Sequence, residues 1–396
     1  MTARVTKEVV IVYKSLPHYR VEFYNQLREA LGLLKIDLRV IVGRPYGAEL
    51  AKNDSGEVPW AEYVDNRVLP FGRRTLVWQP VLKRVRSADL VIVEQANKAL
   101  VNFVFMSWRR LGGPKLGLWG HGYNRDPSTV SGASEVVKRW FVRRCDWWFA
   151  YTASTARYVE SCGMQPDRVT TVQNAIDTSI LIAAREALSQ VEIDTAARSM
   201  GVASSNVGVF IGSLYPAKRL RFLIEICDEM RRLVADFEMI IVGDGPDRDL
   251  VEVASESRAW LHRIGAATGS ELARLTSSAK VMLMPSAVGL AVLDAFALET
   301  PLVACGDDHG PEIDYLLSGR NGLRLAADVS AAQFASEVAR LFEDRSLLEH
   351  LRAGCRESVQ AISLEQMVRN FSGGVSQCLG LAEPPTSRLE RNSRCM

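Results

Sequence analysis

Short, nearly uninterrupted apolar runs alternate with longer amphipathic stretches along most of the chain, and halfway through the scheme starts again. In the first half the runs fall at 9–13, 38–42, 90–94, 116–119, 148–151 and 169–172. In the second they fall at 207–212, 239–242, 281–284, 302–305 and 322–325. Runs of this length that are apolar throughout fit strands buried on both faces, which belong to parallel sheets covered by helices. The intervening pattern predicts helices at 20–31, 98–111, 135–144 and 154–161, then at 220–233, 269–278, 290–298 and 331–342. Two more helices, near 346–358 and 364–379, close the chain. The fold class is therefore α/β, with two Rossmann-like domains whose ligands belong beyond the C-terminal ends of the strands.

A length of 396 residues suits two domains. The boundary falls between Asp177 and Asn206, a polar, Ala/Ser-rich stretch without a strand pattern, before the fresh start NVGVFIG. This gives an N-terminal domain over 1–185 and a C-terminal one over 206–361. The helix at about 362–380 is expected to pack back on the first domain. The polar, Pro/Arg-rich tail 382–396 is expected to be disordered.

No run of 18 apolar residues is present, and the first apolar run is too short and too early for a secretory signal. Seven scattered cysteines without a CxxC pair read as reduced, buried thiols of a cytoplasmic protein, with neither disulfides nor a zinc site. The net charge of +2 hides an asymmetry. Residues 1–185 carry roughly 27 Lys+Arg against roughly 17 Asp+Glu, so the first half is about +10 and the second about −8. A basic first half suits an anionic partner, such as a lipid headgroup or a phosphorylated acceptor, or is simply a solvated surface. No nucleic-acid reader motif accompanies it.

The richest stretch runs from Met284 to Leu323. A buried strand ends at Pro285, the loop Ser286-Ala287-Val288-Gly289 follows, and a helix begins near Leu290. Gly289 permits close approach of a ligand to backbone. Unpaired amides at the helix start offer a diphosphate site. Asp294, about one turn in, is placed to accept hydrogen bonds from ribose hydroxyls. A plain strand–loop–helix unit with an exposed Asp fits the same spacing. In FIGSLYPAKRLRFLIEICDEM the strand ends at Gly212, and Lys218 and Arg219 stand just before a helix, either as partners for a diphosphate or as solvent-facing charges. The turn Gly243-Asp244-Gly245-Pro246 ends another strand, and its lone GxG is a weak signal by itself.

Taken in order, these segments resemble the family-4 retaining glycosyltransferases of the GT-B fold, two Rossmann-like domains facing a central cleft. The resemblance rests on Gly212, Leu214 and Lys218, on Val-Gly-Asp-Gly-Pro, and on the block Pro-Ser…Gly-Leu…Asp-Ala-Phe-Ala…Thr-Pro-Leu-Val. It closes on Gly-Pro-Glu…Gly-x-Asn-Gly-Leu. It implies that Lys218, helped by Arg219, contacts the donor diphosphate, and that Val288, Gly289 and Leu290 meet the phosphates. It further implies that Asp294 holds the ribose, and that Asp244, Gly245 and Ile264 lie near the base. Two positions depart from the family pattern. Ser286 replaces the first glutamate of Glu-x7-Glu, which touches the donor sugar in many members, and Ser213 replaces an arginine.

The first half resembles the family more weakly, through the Pro-x-Tyr-Arg opening that places His18, Tyr19 and Arg20 toward the acceptor. In LWGHGYNRD, His121 ends a strand between two glycines, where a family histidine contacts the transferred sugar. VKRWFVRRCDWW interleaves cations with aromatics, as a helix resting on an anionic membrane face does, or as a core-packed helix with a basic outer face does.

The expected activity is hexosyl transfer from a nucleoside-diphosphate sugar, the co-substrate, to a glycan or lipid-linked acceptor in polysaccharide synthesis. It is expected to need neither cofactor nor metal, and retention of configuration is implied by the resemblance. Two other readings keep the fold: a sugar-nucleotide-binding scaffold, favoured by Ser286 and Ser213, and a sugar-nucleotide epimerase.

Overall fold

The computed structural model describes residues 7–46, 55–71, 74–96, 98–122, 136 and 139–381. The tail 382–396 and Cys395 lie outside the described residues, as do positions 135, 137 and 138 of the helix expected at 135–144. The chain divides into two compact units, Met1–Asn174 with Leu364–Met396, and Ala175–Ser363.

In the first unit, β1 (Lys7–Tyr13), β2 (Ile36–Gly43), β3 (Glu62–Val64), β6 (Leu90–Glu94), β7 (Lys115–Gly120), β8 (Trp147–Ala150) and β9 (Val169–Thr171) form one parallel sheet. Its order is β3-β2-β1-β6-β7-β8-β9, so the winding reverses between β1 and β6. An antiparallel hairpin, β4 (Arg67–Phe71) with β5 (Arg74–Trp78), stands apart from this sheet. Helices α1 (Val21–Leu33), α2 (Leu100–Arg110) and α3 (Ala153–Ser161) cover the sheet. The central strands are apolar throughout because both faces are buried: Val9, Val10 and Ile11 are fully inaccessible, as are Leu90, Val91 and Ile92.

The second unit repeats the winding. Its parallel sheet runs β12 (Leu261–Ile264), β11 (Glu238–Val242), β10 (Val207–Ile211), β13 (Val281–Met284), β14 (Leu302–Ala304), β15 (Gly322–Arg324), reversing between β10 and β13. Its helices are α4 (Ser179–Ala187), α5 (Gln190–Ser199), α6 (Leu220–Leu233), α7 (Arg248–Glu256), α8 (Gly269–Thr276), α9 (Ala291–Ala297), α10 (Ala331–Glu343) and α11 (Arg345–Ala361). The final helix, α12 (Leu364–Leu379), returns to the first unit. It packs on α1, β8 and β9, with Phe371 stacked on Phe149 at 4.4 Å. Gly374 permits this approach, since a Cβ there would stand 2.4 Å from Thr170 Oγ1.

The division at 174/175 precedes the stretch in which the sequence places the boundary. Residues 179–199 form α4 and α5, which pack on α8 and so belong to the second unit. Ser189 and Glu192 form a capping box that starts α5. The sequence pattern also misses the edge strand β12. It reads Leu-His-Arg-Ile, and its outer positions are half-exposed. The six described cysteines are buried and free. No described helix is long and apolar enough to cross a membrane.

Candidate functional site

In the second unit, β10 and β13 are parallel neighbours, so the loops that follow them share one edge of the sheet while the chain continues to opposite sides, to β11 and to β14. After β10 the chain turns at Gly212, and Pro216 starts a single turn of 3-10 helix ending at Lys218. Arg219 then adopts a left-handed conformation (φ 52°) before α6 begins. This reversal sends consecutive cations to different places. Lys218 is 5% exposed, and its Nζ donates to the Ala287 carbonyl at 2.6 Å, in the loop after β13. The ammonium also lies 3.8 Å from Met284 Sδ. No carboxylate pairs with it among the described residues, and burial pushes its pKa down to about 8. Arg219 is exposed, its guanidinium 4.3 Å above the Phe222 ring.

The loop after β13 is held by the loop after β14. Cys305 Sγ donates to the Pro285 carbonyl, the Ala287 amide to Asp308, and the Gly310 amide to Val288. The buried His309 joins them: Nδ1 accepts from the Val288 amide at 3.2 Å, and Nε2 contacts the Gly306 carbonyl at 2.8 Å. Ala287 is held at φ +48°, a strained value for a residue with a side chain. Beyond this anchored segment, the amides of Gly289, Leu290 and Ala291 donate to no acceptor among the described residues. Apart from its chain neighbours, no atom of the described residues lies within 4 Å of where a Cβ on Gly289 would stand. The result is open space lined by three free donors, with a buried ammonium bound two residues upstream. This is chemistry for an anion.

Asp294 is half-buried on α9 and has no hydrogen-bond or ionic partner among the described residues. Burial raises its pKa to about 7. A carboxyl in this state gains from any hydroxyl that donates to it. Ser286 is 4% exposed, close against Gly306.

The turn after β11 has a packing role that its sequence alone does not reveal. A Cβ on Gly243 would stand 2.0 Å from the Gly212 carbonyl oxygen, and one on Gly245 would stand 2.3 Å from that of Leu214. Both glycines therefore let the loop carrying Lys218 lie flat on the turn, and the Leu214 amide donates to Asp244. The Asp244 side chain accepts from the Gly245 amide at 2.8 Å. Ile264, at the end of β12, receives the Gly243 amide on its carbonyl.

In the first unit His121 is exposed at the C-terminal end of β7, with its ring 4.5 Å from that of Tyr151. Its loop is clamped by Gln95, whose Nε2 donates to the Gly122 carbonyl at 3.1 Å while Oε1 accepts the Gly122 amide at 2.9 Å. His18 is exposed and Tyr19 half-buried.

Arg20 departs from the expectation. It is 1% exposed, among Tyr19, Phe23, Trp119 and Tyr151, and it donates to Asn174 and to Met367 on α12. It fastens the start of α1 to the end of the unit rather than reaching toward an acceptor. The aromatic–cationic segment divides between core and surface. Trp147 and Trp148 lie in β8, and with Phe141 they are core residues, which leaves only Trp140 at the surface under Arg144.

Lys218, Ser286, Gly289 and Asp294 thus share one loop edge of the second unit, while His18, Tyr19 and His121 lie in the first. His309 and Gln95 are missed by the sequence reading. The only signal at His309 is a histidine inside the acidic run Gly306-Asp307-Asp308-His309-Gly310.

Two family models match the chain: Glycosyl transferases group 1 over residues 205–344, and Glycosyltransferase Family 4 over residues 21–180. A 2-deoxystreptamine glucosyltransferase of Streptomyces kanamyceticus is 27% identical over 229 residues, 55% of this chain and 57% of that protein. An alpha-D-kanosaminyltransferase of the same organism is 25% identical over 38% of this chain and 40% of its own length. The match thus spans 57% of the length of the first of these relatives and 40% of the second. Among solved structures, Anabaena HepE in complex with UDP superposes with a TM-score of 0.69 at 16% identity, covering 94% of this chain and 100% of that one. Sucrose-phosphate synthase from Thermosynechococcus elongatus gives 0.67 at 14%, covering 95% and 100%. At these identities the likeness is one of fold.

Proposed function

The chain belongs to the family-4 glycosyltransferases of the GT-B fold, and from that premise we propose that it moves a hexosyl group from a nucleoside-diphosphate sugar to an acceptor hydroxyl in glycan synthesis. The reading is carried by one observation. Three amides at 289–291, unpaired among the described residues, adjoin a buried ammonium that meets no carboxylate among them, in the same loop edge. Such a pocket favours a group that gains negative charge, as a departing diphosphate does.

Lys218, the amides of Gly289 and Leu290 and the exposed Arg219 take up that charge, with Val288 and Gly212 shaping the loops. Asp294 accepts from the ribose hydroxyls. The Asp244–Gly245 turn and the Ile264 backbone border the base. His121 contacts the transferred sugar, and His18 and Tyr19 face the acceptor. The charge is met by protein groups, so the proposed reaction is metal-independent. Configuration is retained through front-face attack, the leaving diphosphate assisting removal of the acceptor proton.

The relative named for 2-deoxystreptamine, a hydroxylated aminocyclitol, supports an acceptor hydroxyl on a polar ring, and HepE's complex with UDP supports a uridine donor. A peripheral place on the inner face of the cell membrane rests on Arg139, Trp140 and Arg144. Sedimentation with anionic vesicles tests it, and equal recovery with neutral vesicles removes it.

Incubation with a panel of labelled nucleotide sugars and measurement of released nucleoside diphosphate tests the activity. Turnover of one donor, enhanced by an acceptor glycan, is expected. Tight binding without turnover of any donor would favour the scaffold reading instead, for which Ser286 is the motive. Conversion of a donor into its epimer would favour the epimerase.

A further inference from the structure

The grip of the 289–291 pocket depends on where its first amide points, and that direction is set from the loop after β14. Two successive peptide groups are held there. In the Ala287–Val288 peptide, the carbonyl accepts from Lys218 Nζ at 2.6 Å and the N–H donates to His309 Nδ1 at 3.2 Å. In the Val288–Gly289 peptide, the carbonyl accepts from the Gly310 amide. A trans peptide points its N–H opposite to its C=O, so the Gly289 amide is directed away from Gly310.

The two loops meet backbone to backbone. A Cβ on Gly310 would stand 2.8 Å from the Val288 carbonyl oxygen and 3.2 Å from Gly289 Cα. The hold is needed as well as close. Ala287, at φ +48°, lies in a region that L-residues with side chains leave unless their surroundings fix them.

The histidine is present in one chemical form. It is 2% exposed, and each ring nitrogen meets a backbone group. An amide N–H only donates, so Nδ1 offers it a lone pair and carries no proton. The ring proton therefore sits on Nε2, which donates to the Gly306 carbonyl at 2.8 Å. The imidazole thus links a carbonyl of its own loop to an amide of the loop after β13.

We infer that His309 is a positioning residue for the donor: through Nδ1 it fixes the Ala287–Val288 peptide and, with Gly310, aims the Gly289 amide at the diphosphate. It touches no substrate itself. The inference rests on the donor reading of this pocket and adds to it the atom that sets its geometry.

Three substitutions separate the two bonds. Asparagine places Oδ1 where the imidazole has Nδ1, so His309→Asn keeps an acceptor for Val288 and gives up the Gly306 bond. Glutamine places Nε2 where the imidazole has Nε2, so His309→Gln does the reverse. His309→Ala loses both. Calorimetry on the full chain compares the tightest-binding nucleoside diphosphate of a panel with the nucleoside of the same base. His309→Ala and His309→Gln bind the diphosphate about tenfold more weakly, while His309→Asn stays within about threefold of the wild type. All four proteins bind the nucleoside alike, because it has no phosphate for the Gly289 amide to meet.

An equal loss for nucleoside and diphosphate, the opposite order of Asn and Gln, or unchanged diphosphate affinity in His309→Ala overturns the inference and leaves the donor reading in place. No nucleoside-diphosphate binding by the wild type overturns both. Should the variants fail to fold, the ring-nitrogen spectrum of the wild type labelled with ¹⁵N-histidine decides. An Nε2–H ring at His309 supports the inference, and an Nδ1–H ring overturns it.

Discussion

Substitution Lys218→Met separates the cost of the proposed donor pocket from its benefit. In the unfolded chain this lysine titrates near 10.5, and in the folded protein burial lowers that to about 8. Below pH 8 both states are charged, and the folded one holds its charge out of water. The drop corresponds to roughly 3 kcal/mol of lost stability at 1.36 kcal/mol per pH unit. The unfolded state binds more protons between about 8 and 10.5, so this cost shrinks as pH rises through that window and vanishes above it. Methionine avoids the cost and fills similar space, but leaves the Ala287 carbonyl without its donor, a penalty of about 1–3 kcal/mol. The unliganded variant should therefore be as stable as the wild type at pH 7, or up to about 2 kcal/mol more stable, with the advantage gone near pH 10.5.

Binding should change in the other direction. Loss of a charge-assisted contact to a diphosphate costs about 1.5–3 kcal/mol, or roughly 10- to 150-fold in affinity. Urea melts at pH 7 and pH 10 give the first quantity. Calorimetry with the tightest-binding nucleoside diphosphate of a panel gives the second. In the wild type, binding near pH 8.5 should also take up protons, because the diphosphate stabilises the ammonium. Lys218→Met should lose this component. A variant destabilised by more than about 1 kcal/mol with unchanged affinity and proton uptake would show Lys218 to be a loop strut outside any phosphate site.

Asp294→Asn should raise the melting temperature above pH 7. The gain should fade as pH drops toward 4, because the wild-type carboxyl, with a folded pKa raised to about 7, ionises at a cost only above that range. The same variant should bind nucleoside diphosphates more weakly. His121→Ala should leave stability within about 0.5 kcal/mol and reduce sugar transfer, whereas Arg20→Ala should cost about 3–5 kcal/mol by opening a buried cationic network. Urea melts and turnover assays distinguish the pair. Gly245→Ala puts a Cβ 2.3 Å from the Leu214 carbonyl oxygen, so the Lys218 loop must shift, with loss of both melting temperature and diphosphate affinity. His309→Ala leaves the Val288 amide without its acceptor, so it should cost about 1–3 kcal/mol of stability in urea melts and, by loosening the loop, weaken diphosphate binding.

Strands such as β1, β10 and β13 are legible in the sequence because burial on both faces leaves no polar position to disguise them. Other elements are hidden for equally physical reasons. β12 is an edge, where His262 serves as a side-chain partner of Glu238 at 2.6 Å, so its residues do not read as a buried strand. The β4–β5 hairpin includes Arg67 and Pro70, and exposes Val68 and Leu69, against the usual inward placement of apolar residues. Arg20 reads as a cleft residue because a sequence does not show that the turn at His18–Arg20 aims it inward, where aromatic rings and Asn174 replace water.

The residues that shape the candidate sites are the least legible of all. His309 and Gln95 act on backbone atoms 21 and 27 residues away, in Val288 and Gly122, across contacts made by the pairing of β13 with β14 and of β6 with β7. No local pattern encodes such a bond, since backbone amides look alike in every sequence. The same anonymity bears on Ser286. A pocket built from the amides of residues 289–291 and from Lys218 draws little on the side chain at 286, which lies on the anchored side of the loop. On the proposed reading, a serine at 286 in place of the glutamate of the family pattern would leave such a diphosphate pocket intact and act on the choice of donor sugar.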